Sequence, residues 1–102
     1  MIPKSLKLDF IGYFLKTMNE MAKVTTSLST LSKELGISVE GLNKLLTALR
    51  DEDIIAFSRL GVYEAQEMQY FFALKTNSQT EELLLLYQNQ NKKHENKEAN
   101  RD

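Results

Sequence analysis

The chain has 102 residues, 42% of them hydrophobic and 26% charged, with a formal net charge of −1, which fits one globular domain with a modest core. It contains no cysteine, which excludes disulfides, thiolate metal sites and a cysteine nucleophile. The near-neutral total argues against a dedicated polyanion binder, and apolar runs such as Leu83 to Leu86 are too short to cross a bilayer.

The opening stretch MIPKSLKLDF mixes lysines and an aspartate with apolar residues. It predicts no secretory leader, and a cytoplasmic protein is expected. A first helix is predicted between Ser5 and Lys23, where Ile11, Phe14, Leu15, Met18, Met21 and Ala22 recur at three- and four-residue steps. Pro3 suits its start, and Asp9 is a second cap candidate. Gly12 inside it costs about 1 kcal/mol relative to alanine; it marks either close packing or a solvent-facing position. VTTSLS, residues 24–29, reads as a connector with a short strand around Leu28. A second helix is predicted over Thr30 to Leu35, with Ser29 as its N-cap. Gly36 follows the last apolar position, where a left-handed residue closes a helix. Ser38 then caps a third helix, Val39 to about Asp51. The short connection requires the two helices to cross steeply.

After the acidic stop DED, IIAF reads as a strand. Residues 59–67 read as a loop. MQYFFALK, residues 68–75, places Met68, Tyr70, Phe72 and Leu74 on one face and reads as the return strand of a hairpin. A helix from Val62 to Lys75 is the competing reading, because Glu, Ala, Gln and Met favour helix. Ser78 and Glu81 have the spacing of a capping box ahead of ELLLLYQ, which predicts a last helix. The domain is expected to span residues 1–87. Residues 88–102 hold one apolar residue, Ala99, and read as a frayed helix end or disordered tail.

The order helix, helix, turn, helix, strand, loop, strand, helix resembles the winged helix-turn-helix superfamily. Named positions carry the resemblance. Leu31 and Leu35 are inward positions of the first motif helix, with Ser32 where a small residue lets the helices touch. Gly36 is the turn glycine and Ile37 the apolar residue of the turn. Leu42 and Leu45 face inward from the second helix, and DEDII resembles the exit into the first wing strand. The resemblance covers roughly residues 5 to 87. It implies a mainly α fold with a small β-hairpin (α+β) and an extra C-terminal helix. It also implies a small DNA-binding regulator, or a centromere- or origin-binding adaptor of a plasmid or phage, with no enzymatic activity.

On the third helix, Leu42, Leu45, Leu46 and Leu49 share about one third of the circumference. The opposite face carries Glu40, Asn43, Lys44, Thr47 and Asp51, with Arg50 on the flank. Asn, Lys and Thr are side chains that read base edges or phosphate. Ser38 and the backbone amides at the helix start could hold a phosphate. Lys33, Arg50 and Arg59 are candidate phosphate contacts, as are Lys4, Lys7, Lys16 and Lys23. The same face is equally what a plain solvated helix would show. Charge distribution cuts both ways. Residues 1–50 carry seven Lys/Arg against four Asp/Glu, whereas residues 51–82 carry two against seven. The acidic middle segment would repel DNA and suits a protein partner. The expected partners are therefore double-stranded DNA or, on the alternative reading, a protein docked on a module that never touches DNA.

Chemistry is weakly signalled. His94 is the lone histidine and lies in the polar tail. Asp51, Glu52 and Asp53 read as a charged helix end rather than a metal site. No glycine-rich phosphate loop is present, and no cofactor or metal is expected. Four successive leucines sit about 100° apart around a helix and together span roughly 300°. One domain surface covers a single side, so at least one of Leu83, Leu84, Leu85 and Leu86 should point away from its own core. With Tyr87 they form the expected homodimer interface; the first helix is the other candidate.

Overall fold

The computed structural model describes residues 2–62, 64 and 66–99, with the backbone alone for 91–99. Seven elements follow one another: α1 (Lys4–Thr17), β1 (Lys23–Ser27), α2 (Leu28–Leu35), α3 (Val39–Asp51), β2 (Ile55–Gly61), β3 (Gln69–Leu74) and α4 (Ser78–Ala99). The sheet is antiparallel with β3 in the centre, in the order β1-β3-β2. This mixed α+β arrangement is compatible with a winged-helix-like fold.

The first helix ends earlier than its apolar stripe predicted. Asn19 stops it: its side-chain oxygen accepts from the amides of Met21 (2.9 Å) and Lys23 (3.1 Å), closing a turn. Ala22 completes the reversal at φ 59°. Met18 and Met21 therefore leave the helix and are 39% and 70% exposed. The chain after the turn is extended, so the predicted connector becomes β1, a third strand beside the hairpin. Ser27, not Ser29, caps α2, accepting from the Thr30 amide at 3.1 Å.

Between α2 and α3 the local chemistry is as expected. Gly36 sits at φ 68°, a left-handed conformation that costs a side chain strain. The Ile37 amide reaches back to the Ser32 carbonyl at 3.1 Å. Ser38 caps α3 by accepting from the Gly41 amide at 3.0 Å.

The hairpin reading of residues 55–74 holds. Ile55 pairs with Leu74, Phe57 with Phe72 and Arg59 with Tyr70, while Val24 of β1 pairs with Phe72 from the other side. Side chains alternate along a strand, so Phe57, Arg59, Tyr70 and Phe72 share the sheet face turned toward the helices. Arg59 is thus a strand residue, not a loop residue. A register shift between Arg59 and Gly61 ends the regular pairing.

The core sits between that face and the helices. Leu31, Leu42, Leu45, Leu46, Leu49, Ile11 and Phe14 are buried, as expected. Leu8, Phe10, Val24, Ile54, Ile55, Phe72 and Leu83 join them. Phe10 meets Phe72 edge-on, with ring centroids 6.4 Å apart.

The DED stop is structural. Glu52 accepts from Lys7 of α1 at 2.6 Å. Asp53, at φ 63°, pairs with Lys75, and its carbonyl accepts from the Asn77 amide group at 2.6 Å. Asn77 in turn caps α4, its oxygen accepting from the Thr80 amide at 2.9 Å. The predicted Ser78–Glu81 box is therefore replaced by an Asn77 cap that also ties α4 to the end of α3.

α4 packs on α1. A Cβ on Gly12 would lie 2.9 Å from Cε1 of Tyr87, so the glycine allows close approach of that ring. The α4 backbone stays helical through Ala99. The side chain of His94 and residues 100–102 lie outside the described residues.

Candidate nucleic-acid interface

α3 is amphipathic because its leucines recur with the helical period. Leu42, Leu45, Leu46 and Leu49 are buried, and Glu40, Asn43, Lys44, Thr47 and Arg50 are exposed. The Ser38 cap and the packing of α2 fix its orientation. The sequence-predicted residues fall into three places around it.

Asn43, Thr47, Arg50 and Arg59 come together along a groove between α3 and the hairpin, floored by Phe57 and Tyr70. Lys44 lies on the adjoining face, with Asn43 and Thr47 shared between the two. Ile2 borders that second face beside Glu40 and Asp51. Lys33 stands apart on α2, exposed. Ser38 is exposed, but its oxygen is already committed to the cap.

Arg50 is partly engaged within the molecule. Its guanidinium lies 5.5 Å from the centroid of the Phe57 ring, and its Nε is 3.7 Å from Asp51. Both Arg50 and Asp51 are largely exposed, so their ion pair contributes little. Arg59 has no ion-pair partner among the described residues. Two of the candidate lysines have contacts within the molecule. Lys7 is bound to Glu52, and Lys23 lies 5.4 Å from the centroid of the Phe71 ring.

The loop after β2 is tied down at its far end. Glu67 accepts a hydrogen bond from the Ser29 hydroxyl at 2.9 Å, at the start of α2. The hydroxyls of Ser27 and Ser29, helped by the Lys33 charge, hold its carboxyl below its ordinary value of 4.5. A lowered carboxyl stabilises the fold when ionised. Its contribution is full above the ordinary value and is lost as the pH falls through the lowered one. Ser29→Ala should therefore raise the Glu67 midpoint toward its ordinary value. A carboxyl-detected NMR titration of wild type and variant measures it; an unchanged midpoint would remove Ser29 as a cause.

The predicted dimer face is rearranged. Leu83 is 6% exposed and belongs to the core, so it is withdrawn as an interface residue. Leu84, Leu86 and Tyr87 are half-buried against that core. Leu85 alone points outward, 58% exposed.

Phe57, Tyr70 and Ile2 are parts of this surface that the sequence reading missed. Phe57 was legible: it precedes Arg59 by two positions in a strand and so shares its face. Nothing local signals Ile2. Among the described residues no cluster of three or more His, Asp or Glu is poised for a metal, and no helix is long and apolar enough to cross a membrane.

No family model and no curated protein matches the chain. A solved structure does match in fold: a possible transcriptional regulator from Methanosarcina mazei Go1, with a TM-score of 0.54 over 99% of this chain and 78% of that one. Identity between the two is 14%. The likeness is therefore one of fold alone.

Proposed function

We propose that the protein is a winged-helix DNA-binding regulator that presents α3 to the major groove of a duplex. The observation that carries the reading is the outer face of α3. Asn43, Lys44 and Thr47 stand exposed on a capped helix whose inner leucines are locked in the core. A rigid helix displaying donors at its surface is what direct readout requires. Arg50, Arg59 and Lys33 supply the flanking positive charge for phosphate. The fold's likeness to a possible transcriptional regulator supports the same reading. Transcriptional control, plasmid or phage partition and replication adaptor roles all use this geometry. Selection from a random duplex pool tests it: a recovered consensus is the expected result, and an unenriched pool would defeat it.

The active form is a homodimer, with Leu85 at its contact and α4 as the joining helix. One recognition helix reads few base pairs, and two-fold pairing doubles the site. Burial of an exposed leucine contributes roughly 1.5–3 kcal/mol. Sedimentation equilibrium at micromolar concentration should give a dimer for wild type and a monomer for Leu85→Glu. A wild-type monomer at every concentration would refute it. A dimer untouched by the substitution would move the interface elsewhere, with α1 next in line.

A second reading has its own support. Leu60 and Val62 at the end of the hairpin are 42% and 46% exposed, within the acidic 51–82 segment. Such a surface suits a protein partner rather than phosphate. Passage through a heparin column at low salt without retention would favour it.

A further inference from the structure

The groove between α3 and the hairpin has a composition that duplex contact alone does not account for. Its floor is apolar and aromatic: Phe57 and Tyr70 are half-buried, with ring centroids 5.7 and 6.3 Å from that of the buried Phe72. Its rim is cationic and polar, with Arg50, Arg59, Asn43 and Thr47, and no carboxylate lines it among the described residues. It is an open groove of about 380 Å³, within the size range of small-molecule sites. A duplex backbone would meet the two arginines at the rim and leave Tyr70 uncovered, whereas Phe57 already carries the Arg50 guanidinium 5.5 Å from its centroid. A flat ring carrying an acidic group would use both Tyr70 and the arginines.

We propose that this groove binds a small aromatic anion, its ring on Tyr70 and its acidic group held by Arg59 and by Arg50, whose guanidinium is seated over Phe57. The arginines offer charge-assisted, forked hydrogen bonds to a carboxylate or phosphate. Asn43 and Thr47 add neutral donors at the rim. Stacking and charge pairing both contribute, so a ligand without the charge keeps only the weaker stacking contact. The ligand shares Asn43, Thr47, Arg50 and Arg59 with the DNA surface proposed above, so its occupancy excludes duplex. That last clause rests on the DNA-binding reading; the site itself does not.

Two anions cover the two sources of this chemistry: 4-hydroxyphenylacetate for an aromatic acid and adenosine monophosphate for a nucleotide. Each is titrated into ¹⁵N-labelled protein, beside 4-hydroxyphenylacetamide and adenosine as uncharged partners. At least one anion should give saturable shifts at the amides of Asn43, Thr47, Phe57 and Arg59. Its uncharged partner should bind about tenfold or more weakly, the loss expected of one charged contact. Arg59→Ala should weaken the anion by about tenfold and leave the uncharged partner unchanged, which separates lost charge from lost fold. Saturation by one anion and not the other identifies the source. No saturable shift with either anion, shifts outside the groove, or equal binding of charged and uncharged forms would overturn the proposal. Duplex binding is measured separately by fluorescence anisotropy. A filled groove in a protein that ignores duplex defeats only the DNA reading, and duplex binding with an empty groove defeats only this one.

Discussion

Leu45→Ala is expected to destabilise the protein by about 2–5 kcal/mol, as large-to-small core changes do. Leu45 is 0% exposed, within a cluster that joins α1, α3 and the sheet. The substitution removes buried methyl groups and leaves a cavity whose walls relax only in part. A domain of this length has roughly 5–15 kcal/mol in total, so the loss is a large fraction. Urea denaturation measures it: the midpoint should fall while the slope stays constant. The exposed neighbour Lys44 is the internal control, because Lys44→Ala touches no core residue and should change stability by less than about 0.5 kcal/mol. A Leu45→Ala melt that overlays wild type would remove α3 from the core.

The second large effect is on recognition. Lys44→Ala combined with Thr47→Ala should erode preference for the selected site by about 1–3 kcal/mol per contacted base pair, roughly 5- to 150-fold. The two side chains are exposed and make no hydrogen bond that holds the fold, so circular dichroism should remain that of wild type. Lys33→Ala should behave differently. It lies on α2, away from the groove, and would meet only phosphate. It should weaken all duplexes alike and reduce the salt slope by about 1. If the double variant binds every duplex as the parent does, α3 is not the recognition helix. If Lys33→Ala alters preference rather than affinity, its assignment to phosphate fails.

The two predictions use the opposite faces of one helix, and both faces follow from a single periodic pattern. The inner face is held by burial, which has one meaning. The outer face is polar, and polar exposure alone does not say what it meets. The groove beside it supplies the missing context, because Arg50 and Arg59 come from different elements and converge only after folding.

Local signals made the turn between α2 and α3, the extent of α3 and the pairing of a hairpin legible, but not the cap of α2 or the full length of β2. The left-handed Gly36, the Ser38 cap, the leucine stripe of α3 and the alternation of Tyr70 and Phe72 each act within a few residues. The same local pattern required at least one of the four leucines of α4 to face outward, since no single surface covers 300° of a helix. Packing of α4 on the rest of the domain selected which one. Leu83 is drawn into the core where α4 meets α1, and Leu85 is left outside. The tertiary structure also made VTTS a strand, because β1 exists only by pairing with β3, a partner far away in the chain. It replaced the Ser78 cap by Asn77, whose side chain is held by Asp53 at the end of α3. Pairing, packing and convergence depend on residues distant in sequence, and no local pattern encodes which distant residue will arrive.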